Sequence, residues 1–154
     1  MKNAGFTLVE LVVTLVVIGI LAAVVAPRFL GGHGFEARGF YDETLSALRY
    51  AQKTAIAQRR LVCVAFTAKT VTLAIAEVNP AVSCNTALTG PNGSTPYVID
   101  STVFTKYGTA NVVFSSFPAA LNFDPLGRPS GAATIQVASF PQTITVEAET
   151  GYVY

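Results

Sequence analysis

FTLVELVVTLVVIGILAAVVA, residues 6–26, is the stretch on which the architecture of this chain turns. Only Thr7, Glu10 and Thr14 interrupt 21 otherwise apolar positions, and a helix of that length rises about 31 Å, close to the hydrocarbon thickness of a bilayer. The segment is long enough to span a membrane. Glu10 is out of character, because a carboxylate at mid-membrane costs about 2.5–3.5 kcal/mol on insertion scales and less near an interface. Either it snorkels into the headgroup layer from the first part of the helix, or a cationic partner recovers the cost.

The run is either a cleaved secretory signal or a segment that stays. A signal peptide places its small-residue cleavage site after the apolar region, yet Ala22, Ala23, Val24, Val25, Ala26 and Pro27 lead into an amphipathic pattern that reads as continuing structure. The short polar leader, MKNAG, lies before the apolar run instead. Orientation is weakly coded, since Lys2 and the chain amine on one side face Arg28 and Arg38 on the other. Pro27 lacks a backbone donor and clashes with the preceding turn, so a kink or interruption is expected there. Gly31, Gly32, His33 and Gly34 weaken the helix further, and His33 reads as a solvated linker residue. GGHG is not a phosphate loop, because no strand precedes it and no Gly-Lys-Ser/Thr accompanies it.

The 154 residues fit one ordinary domain behind an anchor. The hydrophobic fraction is 51% and the charged fraction 12%, and the apolar excess is concentrated in the first thirty or so residues. A net charge of +1 provides no field for concentrating nucleic acid. Cys63 and Cys84 are the only cysteines and His33 the only histidine, too few ligands for a structural zinc site. No metal and no cofactor are therefore expected. If the domain lies outside the cytoplasm, the cysteines pair, closing a loop of about 22 residues and stabilising by about 3 kcal/mol in the chain-entropy picture. Two buried free thiols are the alternative.

From Phe35 the spacing of Ala37, Phe40, Tyr41, Leu45, Leu48, Ala51 and Ala55 predicts a helix with one apolar stripe, packed on a sheet. Asp42 and Glu43 near its start and Arg59 and Arg60 at its end complement a helix dipole. The acid pair is not a catalytic pair, because side chains at i and i+1 do not face each other. From Leu61 the period changes to two. Residues 61–67 and 70–76 read as a hairpin through Ala68 and Lys69, and 103–107, 112–115, 121–123, 134–138, 143–148 and 152–154 as further strands of an antiparallel sheet. Between Ala76 and Thr102, Pro80, Gly90, Pro91, Gly93 and Pro96 predict a long loop tied to the first strand through Cys84. Asp124, Pro125, Leu126 and Gly127 fit a type I turn, with Phe123 anchoring it to the core.

These residues carry a resemblance. A short basic leader ending in Gly5, then Phe6, Thr7, Leu8, Val9, Glu10 and a long apolar helix, resembles the class III signal of type IV pilins and type II secretion pseudopilins. Phe123, Pro125, Gly127 and Arg128 resemble the F-x-P-x-G-R signature of GspH/FimT-type minor pilins, and residues 37–60 and 145–154 look most like MSHA-type minor pilins of the MshC kind. The resemblance implies an α+β type IV pilin fold: a long N-terminal helix, half membrane-spanning and half amphipathic, with a C-terminal antiparallel β-sheet. It divides the chain into a leader (1–5), a transmembrane and assembly helix (6–27), a linker with the amphipathic helix (28–60) and a periplasmic sheet domain (61–154). It implies cleavage between Gly5 and Phe6 by a prepilin peptidase, methylation of the new Phe6 amine, and a single-pass inner-membrane chain that is later assembled into a filament. Glu10 would meet the amine of a neighbouring subunit, and Pro27 would mark a place where the helix melts locally. The implied partners are other pilins or pseudopilins, the prepilin peptidase and the inner-membrane assembly platform.

The expected function is that of a minor pilin helping to initiate or tip a type IV, MSHA-like pilus. A type II secretion minor pseudopilin shares the same signal and fold. Some GspH/FimT-type proteins bind DNA through C-terminal arginines, but Arg128 is followed by Pro129 and Ser130 with no second arginine near, and near-neutral charge offers few phosphate contacts. A membrane-anchored enzyme is the weakest reading. No Ser/His/Asp order, metal-ligand cluster or phosphate-binding loop is present.

Overall fold

The structure, a computed structural model, describes residues 7–30, 33–104 and 112–154, with residues 26–30 and 33–34 described by their backbone only. Gly5 and Phe6, and with them the expected cleavage and methylation site, lie outside the described residues. So do Gly31 and Gly32. The chain divides into two units, one ending at Gly32 and one running from His33 to Tyr154.

The first unit is helix α1, Leu8–Leu30. Thr7 begins it: its carbonyl accepts from the Leu11 N–H at 3.2 Å and its hydroxyl from the Glu10 N–H at 3.3 Å, so one of the orphan donors of the first turn is satisfied by a side chain. Thr14 turns its hydroxyl back onto the Leu11 carbonyl at 2.9 Å, which keeps that polar group paired without a partner outside the helix. Every side chain from Thr7 to Val25 is exposed. The helix also continues through Pro27 to Leu30, so the proline does not end it. Proline removes one donor and strains one turn, a local cost that leaves the rest of the backbone ladder in place.

The second unit begins with α2, His33–Gln58. His33 thus falls in the first turn of α2 rather than in a linker. The expected stripe is the buried face: Ala37, Phe40, Leu48, Ala51 and Ala55 are all but inaccessible, with Thr44, Ala47 and Thr54 filling the same side and Tyr41 and Leu45 at its margin. Alanines at three- and four-residue spacing let the strands approach closely. Arg59 then takes the left-handed conformation, φ 51°. Its N–H donates to the Ile56 carbonyl at 3.3 Å and the Arg60 N–H to the Ala55 carbonyl at 3.2 Å, the Schellman pattern that closes a helix end.

Strands β1 (Val62–Phe66) and β2 (Thr70–Ile75) form the expected hairpin, with Val64 opposite Leu73. The loop expected between Ala76 and Thr102 is only partly a loop. It contains β3 (Thr86–Ala87) and β4 (Tyr97–Asp100), which pair with successive stretches of the same edge of β2, β3 at Ala74–Ile75 and β4 at Thr70–Leu73. A single 3-10 turn at Ser101–Val103, capped by the Asp100 carboxylate at 2.8 Å from the Thr102 N–H, occupies the start of what was expected to be a strand over 103–107. The end of that expected strand lies outside the described residues. Strand β6 (Ala120–Phe123) lies on the other side of β1, with Val62 opposite Phe123.

The remaining strands β5 (Phe114–Ser116), β7 (Ala133–Val137) and β8 (Thr143–Val146) make a second antiparallel sheet rather than a continuation of the first. Residues 152–154 run beside β8, bridged at Val146 and Val153. The two sheets are joined where the Phe114 N–H donates to the Ala68 carbonyl at 2.9 Å and where Phe40, Phe66, Phe114 and Phe117 cluster. One core therefore serves both. Beneath α2 it contains Val62, Val64, Val71, Leu73, Ile99, Leu121, Phe123, Ile135, Ile144 and Val146. The fold is α+β, with an apolar N-terminal helix and a second helix packed on antiparallel strands. Cys63, on β1, is bonded to Cys84, just before β3, with their Cα atoms 6.0 Å apart, which settles the pairing in favour of the disulfide.

Candidate functional site

Two places gather the residues singled out in the sequence. The first is the start of α1. Thr7 and Glu10 stand in the T-x-x-E spacing of a capping box, and Glu10 occupies the first turn, where the helix dipole favours an acid. That dipole contributes about 0.3–1 kcal/mol, against the about 2.5–3.5 kcal/mol that a mid-membrane carboxylate costs. The helix start offsets part of the burden and leaves the rest for depth in the bilayer or for a cation. Within α1, Glu10 is exposed, as are Leu8, Val9, Leu11 and Val12. The capping role of Thr7 was readable from the T-x-x-E pattern, although attention to the carboxylate alone passes over it.

The second place is the turn after β6. Phe123 is fully buried. The Asp124 carbonyl accepts from the Gly127 N–H at 2.8 Å, which closes the turn at the spacing a type I turn requires, and the Asp124 N–H donates to the Arg128 carbonyl at 2.9 Å. Asp124 also uses Oδ1 to accept the N–H groups of Leu126 and Arg128, each at 2.8 Å. Its carboxylate is thus committed to its own turn. Gly127 adopts φ +81°, and a Cβ there would stand 2.6 Å from Cδ1 of Ile56. The motif residues Phe123, Pro125 and Gly127 therefore have structural reasons to be what they are. The Arg128 side chain alone is exposed.

What the turn docks against was not anticipated. Gln52 of α2 donates from Nε2 to the Gly127 carbonyl at 3.3 Å and to the Thr150 carbonyl at 2.9 Å. One turn earlier, Arg49 Nε donates to the Val153 carbonyl at 3.1 Å. Gly151, at φ +69°, lies so close to the Gly127 carbonyl that a Cβ would overlap it. The last third of α2, the turn after β6 and the C-terminal segment form one clasp. No local sequence signal marks Gln52, because its two acceptors are backbone carbonyls far away in the chain.

Asp42 and Glu43 do not converge on a site. Asp42 pairs with Arg38 at 3.7 Å on the exposed face, and burial raises the Glu43 carboxyl above its ordinary value. Burial and the nearby Glu43 charge in turn raise the Tyr97 phenol. Among the described residues no group of three or more His, Cys, Asp or Glu could hold a metal ion.

Comparison with known proteins agrees with the N-terminal reading. The prokaryotic N-terminal methylation motif matches residues 1–26. The chain is 41% identical over 61 residues to the type IV major pilin protein PilA of Myxococcus xanthus, a match covering 38% of this chain and 26% of that one. It is 38% identical over 60 residues to the type IV narrow pilus major component PilA5 of Thermus thermophilus, covering 39% of this chain and 52% of the other. The chain thus spans about half or less of the length of these curated relatives. A crystal structure of the Pseudomonas aeruginosa type IV minor pilin FimU superposes with a TM-score of 0.48 at 12% identity, over 85% of this chain and 90% of that one. This chain thus carries the prokaryotic N-terminal methylation motif and, over about 60 residues, is similar to two type IV pilus subunits.

Proposed function

We propose that the chain is a minor pilin, a structural subunit that helps to initiate or tip a type IV pilus of the MSHA kind and polymerises through its N-terminal helix. The observation that carries this reading is α1 itself. It is an apolar helix with every described side chain from Thr7 to Val25 exposed and with Glu10 in its first turn. Such a surface needs lipid before assembly and protein after it. Glu10 distinguishes the two states, because in lipid its cost is only partly offset by the helix dipole, whereas the free amine of a neighbouring processed subunit would neutralise it.

On this reading the chain is made as a single-pass inner-membrane precursor. A prepilin peptidase cuts it between Gly5 and Phe6, Phe6 is methylated, and the assembly platform extracts α1 into the filament. The minor role rests on the turn of Phe123, Pro125, Gly127 and Arg128, whose signature the sequence shares with GspH/FimT-type minor pilins. Deleting the gene and imaging surface filaments tests the proposal. Filaments should become few while keeping their bulk subunit, and the protein itself should be a trace component of sheared wild-type filaments. Unchanged filaments together with lost secretion of hydrolases would instead identify a secretion pseudopilin.

A further inference from the structure

Asn92 and Gly93 form the one Asn-Gly pair in the chain, and they sit at the tip of a turn between β3 and β4. The turn runs from Gly90 to Gly93 with Pro91 in second place, and the Gly93 N–H closes it onto the Gly90 carbonyl at 2.9 Å. A bond from the Gly90 N–H to the Ser94 carbonyl at 2.8 Å and another of 2.7 Å between the Thr89 and Thr95 hydroxyls hold its two arms together. Every residue from Pro91 to Pro96 is exposed. Water reaches the tip freely.

The Asn92 side chain is folded back over the following peptide. Its Oδ1 accepts the Ser94 hydroxyl at 2.7 Å and the Ser94 N–H at 3.1 Å, which holds the carboxamide carbon on the side of the Gly93 nitrogen. Both donors draw electron density from the carboxamide carbonyl, and both already stand where negative charge would develop on Oδ1 if a nucleophile added to its carbon. Gly93 supplies that nucleophile. It has no Cβ to hinder the approach, adopts φ +84°, and a Cβ built there would meet nothing within 4 Å. The bond to Gly90 opposes the attack, because the Gly93 N–H must leave its acceptor before it can lose its proton. The reaction is therefore slow and base-dependent.

We infer that Asn92 is a self-modification site, at which the turn converts asparagine into aspartate or isoaspartate with water as the co-reactant. Hydroxide takes the Gly93 N–H proton and becomes water, and the nitrogen forms a bond to Cγ of Asn92. The bond from Cγ to the side-chain nitrogen then breaks, and that nitrogen leaves as ammonia with a proton returned from the water, which regenerates hydroxide. A succinimide ring remains. Water opening it at Cγ leaves aspartate on an unaltered main chain, whereas opening at the backbone carbonyl routes the chain through Cγ and gives isoaspartate. Either product carries a new carboxylate, so the net charge of the chain falls from +1 to zero. Isoaspartate also lengthens the main chain by one carbon, which spoils the match between Gly90 and Ser94. This chemistry uses the turn alone and holds whether or not the chain polymerises.

The test incubates the full-length chain in detergent at mildly alkaline pH in heavy-oxygen water and follows the peptide covering Asn92 by mass spectrometry, with isoaspartate detected by an isoaspartyl methyltransferase. Asn92 should react ahead of every other asparagine, gaining heavy oxygen and giving isoaspartate among its products. Asn92→Gln should abolish the reaction, since glutamine would have to close a larger ring. Ser94→Ala should slow it about tenfold, less than the about 10²–10³-fold lost with an oxyanion donor in a buried site, and Ser94→Thr should restore the rate by keeping the hydroxyl. An Asn92 that stays intact while a free peptide of residues 88–97 is converted, or conversion to aspartate without isoaspartate, overturns the site. An unchanged rate in Ser94→Ala overturns the part assigned to the hydroxyl.

Discussion

Gln52 and Gly127, 75 positions apart in sequence, are joined by a hydrogen bond of 3.3 Å from the Gln52 amide to the Gly127 carbonyl, and the same amide reaches Thr150 at 2.9 Å. A single side chain of α2 thereby fixes both the turn after β6 and the C-terminal segment. Replacing it with Ala leaves the part-buried Gly127 carbonyl short of a donor and releases the exposed Thr150 carbonyl, and should destabilise the folded unit by about 1–3 kcal/mol. Gly127→Ala should cost at least as much, since a left-handed position and a collision with Ile56 combine there. Thermal unfolding of the full chain in detergent, followed by near-UV circular dichroism, reads both. A Gly127→Ala variant as stable as the parent would contradict the docking of the turn on α2.

The Cys63–Cys84 bond ties the segment before β3 to β1. Removing it through Cys63→Ser with Cys84→Ser should lower stability by about 3 kcal/mol in the chain-entropy picture. The double variant and the reduced parent should then unfold at the same denaturant concentration. If reductant leaves the parent unaffected, the bond does not form in the mature protein.

Gly5→Val should block processing, so that the intact mass of the membrane-bound protein retains the leader and lacks methylation. Glu10→Ala should leave insertion intact, and indeed ease it by removing a carboxylate from the apolar run, while reducing recovery of the protein in sheared filaments by about tenfold or more. Normal recovery of the Glu10→Ala protein would remove Glu10 from assembly.

Glu43 carries a pH signature. Burial raises its folded-state carboxyl above the ordinary value, so as pH rises the unfolded chain ionises first and the folded state is disfavoured by the time both are charged. Stability from this group is present below the ordinary carboxylate value and is lost as pH rises through the raised one. Glu43→Gln should therefore raise the unfolding temperature relative to the parent at pH 7 and leave the difference near zero at pH 4. The opposite ordering would indicate that Glu43 is stabilised as an anion.

Much of this architecture was legible because it is local. The α2 stripe declares itself through the three- and four-residue spacing of Ala37, Phe40, Leu48, Ala51 and Ala55, and the β1–β2 hairpin through its alternation. The turn at Asp124 declares itself through Pro and Gly at fixed offsets. What stayed hidden depends on distant partners. Tyr97 and Ile99 are the only inward residues of β4, too few to show a period among Pro91, Gly93 and Pro96, and it is the free edge of β2 that makes them a strand. The division into two sheets is equally non-local, since β5 pairs with β7 and not with its neighbour in sequence. Of the site, the carboxylate at Glu10 was plain and the Gln52 clasp was not, because a glutamine that serves two remote carbonyls resembles any other polar residue on a helix.

The close of α2 has a separate meaning. Its left-handed position is held by Arg59, where glycine would sit without a side-chain penalty and arginine costs about 1 kcal/mol. Arg59→Gly should thus make the helix end easier to form while deleting a cation from the shallow groove that Arg59 lines with Ile56, Asn79, Pro125 and Leu126. An arginine that the backbone alone would not choose thus exchanges part of the stability of the helix end for a positive charge on the surface.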